Sequence, residues 1–153
     1  MSSGFDSSLH QAKEALGRLQ NTSPKPVQEA DIPDKLAGIY VFYEGGKPLR
    51  VGTSRNLRQR VKQHYGSSHR SAAFAKSLAR KKLKVPGGTR PGERWKSQLD
   101  KFPKLRDEFQ KARKRVRKMS VVWLEVPDAD CRYLLEFYAA KELRTPHNDF
   151  SET

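Results

Sequence analysis

A tyrosine, two arginines and a glutamate are the residues of this chain whose types and setting suit work on a phosphate. Tyr40 closes the triplet Gly38-Ile39-Tyr40, Arg50 opens Arg50-Val51-Gly52, and Arg60 follows in a polar segment that ends on Val61. Far downstream, Glu136 interrupts the apolar run Leu134-Leu135-Glu136-Phe137-Tyr138, and Thr145-Pro146-His147-Asn148 comes after it. Arginine offers a permanently charged, bidentate fork for phosphate oxygens. A carboxylate among apolar neighbours is costly to bury without a partner, which singles out Glu136. Phosphodiester hydrolysis needs an in-line nucleophile, neutralised phosphoryl oxygens and help for the leaving oxygen. Tyrosine ordinarily ionises at about pH 10, so Tyr40 needs nearby cations to act as a base, and Arg50 and Arg60 could provide that field.

Taken singly, each of these residues also has an ordinary reading. Tyr40 suits an ordinary strand aromatic, and Arg60 with Arg58 and Lys62 suits a solvated helix face. Glu136 stands four residues after Arg132, the spacing of a surface ion pair. Asn148 suits a helix C-terminal cap. His64 lies one turn beyond Arg60 and divides evenly between a site member and a helix surface.

The charge balance narrows the class of partner. Lys and Arg number 31 against 17 acids, a net charge of +14, and the mean hydropathy is -0.85. Residues 76–118 alone hold 17 basic and four acidic residues. Residues 49–70 add Arg50, Arg55, Arg58, Arg60, Lys62 and Arg70 with no acid. Clustering of this kind is the footprint of a polyanion binder, and nucleic acid is expected before a lipid surface or a ribosome-bound scaffold. A membrane role would call for a basic helix with a Leu/Trp/Phe face, or an apolar run of roughly 18 to 20 residues. The opening MSSGFDSSLH lacks the basic and apolar regions of a signal peptide. Cys131 is the single cysteine, which excludes an internal disulfide partner. A cytoplasmic location is expected.

The elements that would carry these residues follow from periodicity and punctuation. Leu9, Leu16 and Leu19 predict a short helix over 7–20, and the proline-rich segment 21–35 reads as a linker. Alternation predicts a strand over 36–44, with Ile39, Val41 and Tyr43 on one face and Tyr40 and Phe42 on the other. GGKP at 45–48 makes a turn into a short partner strand at 48–52. Thr53 or Ser54 can cap a helix through 55–65, with Leu57, Val61 and Tyr65 as its apolar stripe. A helix is expected over 71–83, a loop over 85–95, and a charged helical stretch over 93–115 carrying Trp95, Leu99, Phe102, Leu105 and Phe109. A third strand at 119–127 is rich in β-branched residues. Asp128 or Asp130 caps a last helix that ends near Arg144, ahead of Pro146.

The combination Gly38-Ile39-Tyr40, Arg50-Val51-Gly52, Arg60 on the next helix, and the late Glu136 and Pro146-x-Asn148 elements resembles the GIY-YIG nuclease family in content and order. The resemblance covers about 36–66 and 119–150. It departs from the family at Arg50, where the second motif normally starts with Tyr, and at Thr53, often Lys in relatives. It implies that Tyr40 activates or positions the attacking water, that Arg60 contacts the scissile phosphate and that Glu136 binds a single divalent cation, Mg²⁺ or Mn²⁺. It implies that Asn148 braces the site, and that His64 stands where relatives carry His or Tyr.

The expected architecture is α+β, a small three-stranded, mainly antiparallel sheet flanked by helices, with a basic helical insert before the third strand. The expected layout is an N-terminal helix and linker over 1–35, a nuclease-like domain over 36–150 with its basic insert at 71–118, and a tail at 151–153. The expected function is a metal-dependent endonuclease acting on DNA. The alternative is a non-catalytic nucleic-acid-binding module on the same fold. Arg50, Arg55, Arg58, Lys62 and Asn148, with Arg113, Lys114 and Arg115 of the insert, are expected to contact nucleic acid. The insert is expected to fold and to hold phosphates flanking the cut.

Overall fold

Alternation in the segment Gly38-Ile39-Tyr40-Val41-Phe42 produces a strand buried on both faces. The computed structural model describes residues 4–66, 73–85 and 95–148. Its order is α1 (Gly4–Gln20), β1 (Lys25–Pro26), β2 (Gly38–Glu44), β3 (Lys47–Ser54), α2 (Leu57–Tyr65), α3 (Ala73–Leu83), α4 (Trp95–Lys101), α5 (Leu105–Arg117), β4 (Ser120–Glu125) and α6 (Ala129–Leu143). Much of the loop expected over 85–95, and all of the tail at 151–153, lie outside the described residues. Two compact units emerge, one formed by Met1–Lys62 with Met119–Asn148 and the other by Gln63–Lys118.

The first unit holds a four-stranded sheet in the order β1-β4-β2-β3. This corrects the expected three strands, and every pairing is antiparallel. The extra strand is the two-residue β1, where Lys25 and Pro26 lie opposite Val121 and Ser120 of β4. A proline cannot donate to a ladder, so it fits only at such an edge. The amide of Val27 continues the attachment by donating to the Met119 carbonyl at 3.0 Å. The segment read as a linker is thus tied to the sheet, and Val27, Ala30 and Ile32 bury their side chains.

The hairpin between β2 and β3 turns on Gly45 and Gly46, both at positive φ. A two-residue turn of that kind matches the twist of paired strands and is open to glycine. It sets Tyr40 opposite Gly52 and Val41 opposite Val51. Ile39, Val41, Val51 and Val122 share the sheet face covered by α1 and α6, together with Leu16, Leu19, Leu135 and Ala139. On α1 the buried stripe is Ser8, Ala12, Ala15, Leu16 and Leu19, so alanines carry part of a face expected from leucines. The opposite sheet face carries Tyr40, Phe42 and Gly52.

Local signals fix the helix ends. Asp128 caps α6, its carboxylate accepting the Cys131 amide at 2.8 Å. Arg144 ends the helix in the left-handed region at φ 54°. The start of α2 differs from expectation, because β3 runs on through Ser54. Asn56 then accepts the Gln59 amide at 3.4 Å, and Ser54 accepts the Asn56 amide at 3.0 Å.

The second unit contains α3, α4 and α5. Phe74, Ala75, Leu78 and Ala79 of α3 and Leu105, Phe109, Ala112 and Val116 of α5 are its buried residues, and these two helices pack together. The single charged stretch expected over 93–115 is two helices, interrupted around Pro103. Trp95 and Phe109 meet with ring centroids 5.1 Å apart. Lys76 and Arg80 stack over Trp95 at 5.4 and 5.2 Å, and Arg80 also donates to Gln98 at 2.7 Å. Stacked cations of this kind let a basic segment keep a folded core. Among the described residues, no helix is long and apolar enough to cross a membrane.

Candidate active site

Tyr40 stands at the middle of β2 and is 3% exposed. Its ring meets Phe42 edge-on, at 5.5 Å and 80°. Space for the phenol is made across the hairpin, because a Cβ on residue 52 would collide with the Tyr40 hydroxyl and its ring carbon. Gly38 has a parallel task one turn of the pleat away. A Cβ there would strike the Leu124 carbonyl of β4 and press on Leu57 of α2. The two motif glycines therefore permit close approach, one for the tyrosine ring and one for a neighbouring strand.

Burial is the main influence on the Tyr40 phenol and pushes its pKa up to about 12. The positive fields of Arg50 and Arg60 pull it down, and the carboxylate of Glu136 pushes it up. Arg50 responds to the same neighbours. Burial lowers its pKa most strongly, Tyr40 and Glu136 oppose that, and Arg60 reinforces it. Tyr40 of β2 and Arg50 of β3 thus feel each other and also Arg60 of α2 and Glu136 of α6, which gathers the four side chains into one electrostatic group.

Glu136 is half-buried on α6 and is held by Thr53, whose hydroxyl donates to Glu136 Oε2 at 2.9 Å. Its expected surface partner is engaged elsewhere. Arg132 donates from Nη1 to the carbonyls of Val126 and Pro127, at 2.9 and 2.8 Å. Asn148 joins the end of the chain to β3. Its Oδ1 accepts the Val51 amide at 2.6 Å, and its Nδ2 donates to the Val51 carbonyl at 2.8 Å. Thr145 donates to the same Oδ1 at 2.9 Å, and the His147 amide donates to the Leu49 carbonyl at 3.0 Å. Both polar ends of the Asn148 amide are occupied by β3 backbone, between Arg50 and Gly52.

The remaining sequence-derived residues fall in several places. Arg55, Arg58 and Lys62 are exposed. Arg58 lies 3.5 Å from Asp34, a solvated pair worth little. Arg55 helps to line a cavity with Thr53, Ser54, Ala129, Arg132 and Tyr133. His64 is 1% exposed and belongs to the second unit, with its ring 6.3 Å from that of Phe74. Arg113, Lys114 and Arg115 also belong to the second unit. Arg113 is committed to structure there, donating to the Gly66 carbonyl at 2.8 Å and to Gln110 at 3.0 Å, whereas Lys114 and Arg115 are exposed.

Sequence reasoning missed Thr53 as the partner of Glu136, because the two are 83 positions apart and only the packing of α6 on β3 joins them. It also passed over Tyr133, which a helical projection of α6 separates from the buried stripe of Cys131, Leu135 and Ala139.

Among the described residues, no group of three or more His, Cys, Asp or Glu side chains gathers as a metal site. Glu136, with one oxygen held by Thr53, is the carboxylate of the electrostatic group. A single hard oxygen donor of this kind suits a cation such as Mg²⁺, which keeps most of its waters and draws further ligands from substrate phosphate.

No family model matches the chain, and no solved structure matches it. Among curated proteins, UvrABC system protein C of Deinococcus radiodurans is 44% identical to the chain over 39 residues. That segment is 26% of this chain and 6% of the relative's length, so the similarity is a partial and distant one.

Proposed function

We propose that the group around Tyr40, Arg50, Arg60 and Glu136 hydrolyses phosphodiester bonds in DNA, as a GIY-YIG-type endonuclease dependent on a divalent cation. The observation that carries this reading is the convergence of Arg50, Arg60 and Glu136, from three separate elements, on the buried phenol of Tyr40. The resemblance to the family and the net charge of +14 point the same way.

In this reading Arg60 grips an oxygen of the scissile phosphate, and the half-buried Arg50 supplies a second cation beside it. Tyr40 remains protonated at neutral pH, so its phenol serves to orient the attacking water by hydrogen bonding, rather than as a free base. Glu136, oriented by Thr53, is the residue that would hold the cation. A bound cation would neutralise charge on the phosphate and its leaving oxygen. Asn148 keeps the backbone on either side of Arg50 and Gly52 in place.

The test is cleavage of plasmid, linear and branched DNA in Mg²⁺ or Mn²⁺, with Glu136→Ala beside the parent. Loss of cleavage with binding retained is expected. Cleavage unchanged in that variant would rule the assignment out.

A second reading, a binding module without catalysis, is favoured by one feature. A half-buried arginine stands where the family pattern has its second tyrosine, and the remaining phenol has a raised pKa. This reading predicts salt-sensitive binding and no cleavage with any divalent ion.

A further inference from the structure

Beside Glu136 lies a cavity of about 430 Å³, lined by Thr53, Ser54, Arg55, Ala129, Arg132 and Tyr133. Its size falls in the range of sites that take small organic groups, roughly 300 to 1,000 Å³. It begins at the Glu136 carboxylate's own partner, since Thr53 both lines the cavity and donates to Glu136. Arg132 and Tyr133 sit about one turn before Glu136 on α6.

Three features of its wall suit a nucleobase. Tyr133 is 73% exposed, and Phe137, one turn further along α6, is 51% exposed. A lone exposed aromatic needs no explanation, but Tyr133 lines a polar cavity at the partner of the proposed catalytic carboxylate, and Phe137 follows it at helical spacing on α6. Arg132 is anchored to the carbonyls of Val126 and Pro127, which fixes its planar guanidinium at the wall. Arg55 adds a second positive charge, and Lys141 lies over Phe137 at 5.4 Å. Aromatic faces with interleaved cations bind single-stranded nucleic acid, because a base presents a π-face only when it is freed from its duplex stack.

We propose that this cavity receives an unpaired base of the DNA strand being cut, stacked on Tyr133, with Arg55 and Arg132 holding the adjoining phosphates. The preferred substrate is then DNA with unpaired nucleotides next to the cut, such as a flap, bubble or fork, rather than continuous duplex. The inference rests on the phosphodiesterase reading for the identity of the strand. It differs from that reading in being measured by binding rather than by cleavage.

The experiment compares binding of single-stranded oligodeoxythymidylate of about 12 nucleotides with the same strand carrying abasic sites, by fluorescence anisotropy in Ca²⁺ buffer. Removal of bases from the strand should weaken binding to the parent protein by roughly tenfold. Tyr133→Leu should bind both strands at the weaker level, and Tyr133→Phe should restore the preference. Since Tyr133 is largely exposed, these variants are expected to fold, as circular dichroism would check. Equal affinity of the parent for both strands would overturn the proposal, and so would an undiminished preference in Tyr133→Leu. A parent protein that shows the base preference but cleaves no DNA with any divalent ion would instead fault the catalytic reading alone.

Discussion

Gly52 is the floor on which the Tyr40 phenol rests, and the hairpin register sets the two residues directly opposite each other. A side chain at position 52 and the Tyr40 hydroxyl would claim the same space. The Gly52→Ala variant is therefore expected to push the ring off its rotamer or force the strands apart. Overpacking of this kind costs about 1–3 kcal/mol. The expected outcome is a lowered unfolding midpoint in denaturant together with a loss of DNA cleavage. Binding should change little, because the exposed cations of the unit are untouched. An alanine variant with parental stability and cleavage would show that the phenol does not need this floor.

The same burial gives Tyr40 a signature at high pH. Its pKa in the folded protein is raised from the ordinary value near 10 to about 12. A raised pKa means that folding favours the protonated phenol. Its contribution is complete below about pH 10 and is lost as pH rises through about 12, for a total of about 3 kcal/mol. Stability measured by denaturant titration should fall over that window in the parent and fall less in Tyr40→Phe. Below pH 9 the phenol should contribute no ionisation to the pH–rate profile. Arg50→Met removes a cation that pulls the phenol down, so ultraviolet titration should find Tyr40 ionising later still. An earlier ionisation in that variant would contradict the arrangement of charges around the ring.

The candidate site was legible in the sequence where one short segment carries the information, and obscure where strand pairing or helix packing carries it. Tyr40, Arg60 and Glu136 could be named as candidates because each sits in a motif with a recognisable setting, and local chemistry narrowed the cap of α6 to Asp128 or Asp130, of which the structure uses Asp128. The strand β1 left no such trace, since two residues show no alternation and one is a proline. The role of Thr53 was hidden for a related reason. As a single hydroxyl at the end of a strand it reads as a helix cap, and only the packing of α6 on β3 brings Glu136 to it. His64 illustrates the limits of helical projection. The stripe Leu57, Val61, Tyr65 reads well at four-residue spacing, yet His64 is buried and Tyr65 only half-buried. A residue seven places after Leu57 also falls on that stripe, whereas the sequence divided His64 between a site member and the helix surface and not the core.

Thr53 offers a test of how Glu136 is oriented. Thr53→Val keeps the β-branched shape and removes the hydroxyl that donates to Oε2. Partners that orient a metal-binding carboxylate typically matter by roughly 10–100-fold in metal affinity or activity. The variant should need more Mg²⁺ to reach half-maximal cleavage, with its saturated rate less affected. Thr53→Ser, which restores the donor, should recover most of the loss. A metal requirement identical in parent and valine variant would place Glu136 under some other control.

Asn148 gives the sharpest separation of bracing from binding, because its amide matches the Val51 backbone in both directions. Asn148→Ala leaves a backbone N–H and a backbone carbonyl of β3 without that partner, at a cost of about 1–3 kcal/mol for each group that water cannot reach. Asn148→Asp keeps an acceptor for the Val51 amide but sets a carboxylate oxygen against the Val51 carbonyl. Both variants should unfold at lower denaturant, and both should cleave more slowly, because Arg50 and Gly52 flank the residue that Asn148 holds. If Asn148 instead contacts DNA directly, alanine would weaken binding while stability stayed at the parental level. Denaturant midpoints and DNA affinities measured on the same two variants therefore separate the roles. The geometry predicts the loss in the midpoint, with affinity for DNA close to that of the parent.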